Sequence, residues 1–171
     1  MQKTDSPGAV LRSLFAHKAW ANEELFSAIA SVDNAANAAQ VHNAVRVLNH
    51  VFVVDSIFQA HLKGEPHNFE ATNTKETPTP QSLLTAVRVL DRWFERYVDG
   101  LSSKALHEKL VFRFTDGDTG SMSREEMLMH VIAHGGYHRG AAGEILRGAG
   151  VAPPRDLYTR FLHLSEPSRR G

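Results

Sequence analysis

The sequence predicts an all-α fold, a four-helix bundle, on three observations. Four long segments repeat apolar residues at helical spacing, and each is bounded by helix-start or helix-stop residues. The last of them carries His130, His134 and His138 at i, i+4 and i+8. Its 171 residues suffice for one domain with a real core, taken as 1–171, and no internal repeat is visible.

Ser6-Pro7 reads as an N-cap followed by a first-turn proline, opening a first helix over 7–31. Leu11, Phe15, Ala19, Phe26 and Ile29 form its apolar stripe. The alanine- and asparagine-rich stretch 33–42 is expected to be a weak connection. A second helix follows over 43–63 and stops at Gly64, where a C′ glycine belongs. Residues 65–80, EPHNFEATNTKETPTP, form a long connection between helices two and three. Thr79-Pro80 starts a third helix over 80–101, with Leu83, Leu84, Val87, Leu90, Phe94 and Val98 inward. LVFRFTDGDTGSMS reads as a small β-hairpin or irregular arm, turning at Asp116-Gly117. Ser123 and Glu126 make a capping box for a fourth helix over 123–148. Beyond Pro153-Pro154, DLYTRFLHL reads as a short C-terminal helix.

Composition narrows the function classes. Nineteen basic residues balance nineteen acidic ones without a basic stripe, so the counterion-release term behind nucleic-acid binding is missing. The absence of cysteine excludes disulfides, zinc fingers and thiol nucleophiles. MQKTDSPGAV lacks an apolar signal core and no run reaches membrane-span length, so a cytoplasmic protein off the membrane is expected.

The histidines carry the chemistry. At about 100° per residue, Met127, His130, Val131, His134, His138, Ala141 and Ile145 share one arc of the fourth helix, its expected core stripe. A single core histidine is usually a packed residue bonded to a neighbouring helix. A pair at i, i+4 inside an apolar stripe is better explained by metal ligation, because both imidazoles reach one point. His130 and His138 lie about 12 Å apart along the axis, too far to share an ion. His134 and His138 therefore form the pair, leaving His130 as a packed histidine, a substrate contact or a neighbour bonded to a ligand. The remaining ligand must come from another helix. His50 faces inward with Val47, Val54, Ile57 and Phe58, whereas His61 lies three turns further on, at the rim. His17, His42, His67, His107 and His163 show no ligand spacing.

Two polar residues interrupt other stripes: Asn22 on the first helix and Asp91 on the third. Asp91 could accept the second ring N–H of a metal-bound histidine; alternatively, both pair with backbone ends or bordering arginines. Gly136, Gly140 and Gly143 lie opposite the histidines, each costing roughly 1 kcal/mol against alanine, and imply close approach by another segment. Gly135 occupies the position where a zincin pair carries its glutamate, which argues against a metalloprotease. Val45, Leu48 and Phe52 make the second helix apolar on its other side too, and a homodimer contact is expected there.

At AWANEEL (19–25), LNHVFVVDSIF (48–58) and HVIAHGGYHRGAAGEILRGAG (130–150) the chain resembles the DinB/YfiT-like family of metalloenzymes. The most specific piece is H-x-x-x-H-R-G, His134 to Gly140. The resemblance implies a four-helix bundle with a long connection after helix two. It also implies one divalent metal held by three histidines, here His50, His134 and His138. Ala141 departs from the glutamine common after H-R-G, which weakens the inference to a shared substrate. The wider superfamily includes transferases and isomerases that use low-molecular-weight thiols.

The expected function is a metal-dependent enzyme, a hydrolase or thiol-dependent transferase, in which the ion activates water or a thiol; no catalytic residue is identified. Zinc or nickel suits the three nitrogens best, with iron or manganese as alternatives, and a low-molecular-weight thiol would be the second cofactor. The rival is a non-enzymatic metal-binding dimer in stress response with a structural or sensing site. A carrier of hydrophobic ligands, with incidental histidines, is a third class.

Overall fold

A computed structural model describes residues 8–170. The expected cap at Ser6-Pro7 lies outside them. The chain is mostly helical: α1 (Gly8–Ala30), α2 (Asn34–Lys63), α3 (Pro80–Asp99), α4 (Ser103–Leu106), α5 (Arg124–Gly148) and α6 (Tyr158–Ser165). Strands β1 (Lys109–Arg113) and β2 (Thr119–Ser123) pair antiparallel before α5, with Val111 opposite Ser121. None of the described helices is long and apolar enough to cross a membrane.

Local chemistry accounts for most boundaries. Thr79 caps α3 through Ser82 N, with Pro80 in its first turn. Both halves of the Ser123–Glu126 capping box form, which fixes where α5 starts and hence its helical phase. Gly64 ends α2 in the left-handed region at φ 70°, where a side chain would be strained. The hairpin turns at Gly117, φ 97°, and Phe114 N donates to Asp118 O at 2.8 Å.

Three expectations change. Residues 34–42 are helical, not a connection: Asp33 caps them by accepting from Ala35 N at 3.0 Å, and alanine has the highest helix propensity. The lower propensity of asparagine shows only as a kink at Asn37, φ −131°. The third helix stops at Asp99, and the single turn of α4, capped by Ser102, was not foreseen. Lastly, α5 is rotated from its expected phase. Its buried face is Met127, Leu128, Val131, Gly135, Arg139, Ala142 and Leu146, whereas Ala141 is exposed and the three histidines are half-buried. The histidine stripe therefore borders the core, because α5 packs against both α1 and α2.

The long helices pack side by side, α1 against α3 and α5, α2 against α3 and α5. Two apolar clusters fill the interior. One holds Phe15, Phe58, Phe94 and Leu128 with the hairpin's Phe112; the other holds Leu25, Phe26, Leu48, Leu83 and Leu146. Every long helix crosses from one to the other at polar residues: Lys18 and Asn22, His50 and Asp55, Asp91, and His134 to Arg139.

Of Val45, Leu48 and Phe52, the face expected to meet a second copy, Val45 and Leu48 are buried within this chain, 1% and 4% exposed, and Phe52 is half-buried. They pack with Leu25, Ile29 and Leu83, and residues 73–77 of the connection bond to α2 beside them. Much of the apolar second side of α2 is thus covered from inside the molecule, with Phe52 partly exposed.

Candidate metal centre

His134 and His138 project from successive turns of α5 toward His50 on α2. The Nε2 atoms of His50 and His134 lie 3.1 Å apart. Ring centroids are 4.9 Å apart for His50–His134, 4.7 Å for His50–His138 and 4.5 Å for His134–His138. One nitrogen from each lies within 4.8 Å of the others, so this group could hold a metal ion. Nitrogens bound tetrahedrally at about 2.0–2.1 Å stand roughly 3.4 Å apart, so the 3.1 Å pair needs little adjustment.

The donor chemistry fits as well. His50 Nδ1 lies 2.6 Å from the Thr72 carbonyl oxygen, which can only accept. The proton therefore sits on Nδ1, and Nε2 offers its lone pair toward His134. Burial, followed by the neighbouring His138, His50, His130 and Lys18, pushes the His134 pKa down to about 3. Burial and His50 lower that of His138. Both imidazoles are neutral at pH 7, the form that binds metals.

His130 is not in the ligand group. Its ring stacks on Phe58 at 4.6 Å and on His134 at 5.3 Å, and burial lowers its pKa. Asp91 does not back an imidazole. Its carboxylate accepts from Lys18 Nζ at 2.6 Å and Asn22 Nδ2 at 2.7 Å, so two buried donors claim both oxygens. Asn22 is likewise committed to Asp91 rather than to arginines or backbone ends. His134 Nδ1 is buried and has no hydrogen-bond partner among the described residues.

Sequence reasoning found Asn22 and Asp91 but missed Lys18 and Asp55, which complete their cluster. Lys18 Nζ also reaches Asp55 Oδ2 at 2.9 Å, and both side chains are 2% exposed. Helical spacing places Lys18 between Phe15 and Asn22, and Asp55 between Val51 and Phe58, so the same stripe test would have found them. At Gly135 a Cβ would crowd Arg139 Nη1 at 3.2 Å and reach ordinary contact with Lys18 Cε at 3.4 Å. Among the other glycines, Gly143 admits the C-terminal segment, since its Cβ would meet Pro153 Cβ at 3.1 Å.

The remaining histidines sit elsewhere. His61 is half-buried against Phe112 and His67. His17 faces Asp156, which also accepts from Arg139. Burial opposes ionisation of Asp156, but these two partners hold its pKa down to about 2. They line a cavity of about 590 Å³ between α1, α5 and the C-terminal segment, across α5 from the three histidines and touched by none of them.

The family model described as DinB family matches residues 1–169. Protein DinB of Bacillus subtilis (strain 168) is 24% identical over 165 residues, covering 91% of this chain and 95% of that protein. No solved structure matches the chain.

Proposed function

The chain belongs to the DinB family, and on that premise we propose that it is a metal-binding protein whose His50, His134 and His138 hold one divalent ion. The four long helices then form a DinB-type four-helix bundle in one domain, with the connection 65–79 crossing it. The reading is carried by one observation: three imidazoles from two helices converge, and among the described residues no fourth histidine, carboxylate or thiolate joins them. Three neutral nitrogens leave a coordination position for an exogenous group, the arrangement of a catalytic rather than a structural site. When bound, the ion supplies Lewis acidity that brings a water or thiol toward ionisation at neutral pH. The protein's own part is to hold the His134 and His138 imidazoles neutral, to orient His50 through Thr72 and to wall one side with the His130–Phe58 stack. A thiol nucleophile would have to come from a low-molecular-weight cofactor, since the chain has no cysteine. Zinc or nickel suits the donors best, with iron or manganese as alternatives. The proposed reaction class is hydrolysis or thiol transfer on a small molecule.

One observation favours the rival role, a structural or sensing ion in a non-enzymatic protein: the 590 Å³ cavity does not open on the histidines. Chelation separates the two. A structural ion contributes to folding, so its removal lowers Tm steeply; a catalytic ion leaves Tm little changed. A homodimer belongs to the same proposal, although the α2 face first expected to carry it is largely filled internally. Light scattering after size exclusion decides it. Metal analysis of untagged protein tests the core reading: one ion per chain is expected, and His134→Ala should abolish zinc and nickel uptake. Metal-free wild type, with zinc and nickel affinity unchanged in the variant, would refute it.

A further inference from the structure

The connection between α2 and α3 carries an amide network beside the metal centre. Asn49, next to His50 in the chain, is 2% exposed. Its Nδ2 donates to Asn73 Oδ1 and Thr74 Oγ1, both at 2.6 Å. Asn73 uses both ends of its amide. Oδ1 also accepts from Thr74 N at 2.9 Å, and Nδ2 donates to the Arg46 carbonyl at 3.1 Å. Arg46 Nη1 in turn donates to the Thr74 carbonyl at 3.0 Å and to Thr77 Oγ1 at 3.3 Å.

Buried amides persist with their hydrogen bonds made, so this set of partners selects one backbone path for a segment that has no regular structure of its own. Thr72 immediately precedes the pinned residues, and its carbonyl is the one that accepts from His50 Nδ1. A neutral imidazole freed from that carbonyl can carry its proton on either nitrogen, and only one choice leaves Nε2 open.

We infer that Asn49 and Asn73 are positioning residues for the metal centre: by pinning residues 73 and 74 to α2 they aim the Thr72 carbonyl at His50 Nδ1, so that Nε2 faces the ion. This rests on the three-histidine reading above. Neither asparagine touches the ion; both act through Thr72. The connection thus does more than cross the helices, because its middle serves as the outer support of a ligand on α2.

The test uses Asn73→Ala, a change on the half-buried connection, and Asn49→Asp, a near-isosteric change that removes the Nδ2 donors. Long-range nitrogen–proton NMR of the metal-free proteins reports the His50 tautomer, and competition with a chromophoric chelator reports zinc affinity. Wild type should hold the Nδ1–H tautomer. Both variants should give a tautomer mixture and bind zinc about 10- to 100-fold more weakly, with Tm of the metal-free Asn73→Ala protein near wild type. Variants that keep the Nδ1–H tautomer and the wild-type zinc affinity overturn the inference. If wild type takes up no zinc, the metal reading falls; the tautomer then still decides whether the asparagines set the imidazole, and its retention in both variants overturns that too.

Discussion

Two polar clusters lie side by side where the long helices cross between the apolar clusters, and they are built on opposite terms. In the first, Lys18, Asn22, Asp55 and Asp91 are all nearly inaccessible, and one lysine ties carboxylates from two other helices. In the second, His50, His134 and His138 are half-buried, turn nitrogens toward one another and leave His134 Nδ1 unpartnered. The first cluster pairs its charges internally and joins α1, α2 and α3, with Asp55 Oδ1 alone lacking a hydrogen-bond partner among the described residues. The second brings three imidazoles together in a group that could hold a cation. Burying polar groups is costly either way, and the difference separates a structural device from a site.

The comparison breaks most visibly at Lys18. Replacing it with methionine keeps much of the volume but leaves two carboxylates without their cation, a loss of about 3–5 kcal/mol in unfolding free energy. Denaturant titration measures this; a variant as stable as wild type would make the buried cluster incidental. Removing a histidine should do the reverse. His138→Ala is expected to abolish tight metal binding while shifting the denaturation midpoint of the metal-free protein far less than Lys18→Met does.

Acidity sharpens the contrast next, because the clusters respond with opposite sign. His134, held near pKa 3 when folded against 6.5 when free, binds its proton later than the unfolded chain does. Its contribution to stability is present above pH 6.5 and is lost as pH falls toward 3. Asp55 goes the other way: burial, partly offset by Lys18, pushes its pKa up to about 6 from 3.8. Between those values the folded chain holds the proton more tightly, so the Asp55 contribution grows as pH drops from 6 to about 4. Stability curves for metal-free His134→Gln and Asp55→Asn, each compared with wild type, should therefore differ with opposite slopes across pH 4–6. Parallel curves would contradict the assignment.

The smallest expected effect concerns the phase of α5, which sets where its histidines face. Ser123→Ala removes the cap that accepts from Glu126 N, costing about 1 kcal/mol. Because the cap acts on helix ends rather than on the ligands, zinc affinity should fall by no more than a few-fold. A complete loss of binding would mean that the site depends on the capped turn more than its geometry suggests.

Much of this was legible in the sequence, wherever a residue acts locally. The Ser123 and Thr79 caps, the Gly64 stop and the Asp116-Gly117 turn work within a few residues, and each marks its element correctly. The i, i+4 histidine pair is equally local. Phase is harder to read, because it depends on which neighbours a helix meets. Ala141 and Ile145 widened the expected stripe, but contact with α1 and α2 rotated the buried face toward Leu128, Gly135 and Ala142. In stretch 34–42 the Asp33 cap and the helix propensity of alanine prevail over the asparagines, so a helix forms where a connection is expected. Asp91 is legible as a buried carboxylate, but its partner is none of the expected imidazole, backbone end or arginine, since Lys18 lies 73 positions away. Nothing in the Thr- and Asn-rich connection marked Thr72 as the residue that holds His50.

X-ray absorption spectroscopy of the zinc-loaded protein tests the central claim most directly, because it counts and measures the ligands themselves. Three imidazole nitrogens at about 2.0–2.1 Å plus one light non-protein ligand are expected. The imidazole scattering should be lost in His50→Ala and His138→Ala, which should no longer retain the ion. A site with four protein ligands, or an unchanged spectrum in either variant, would contradict an open three-histidine centre.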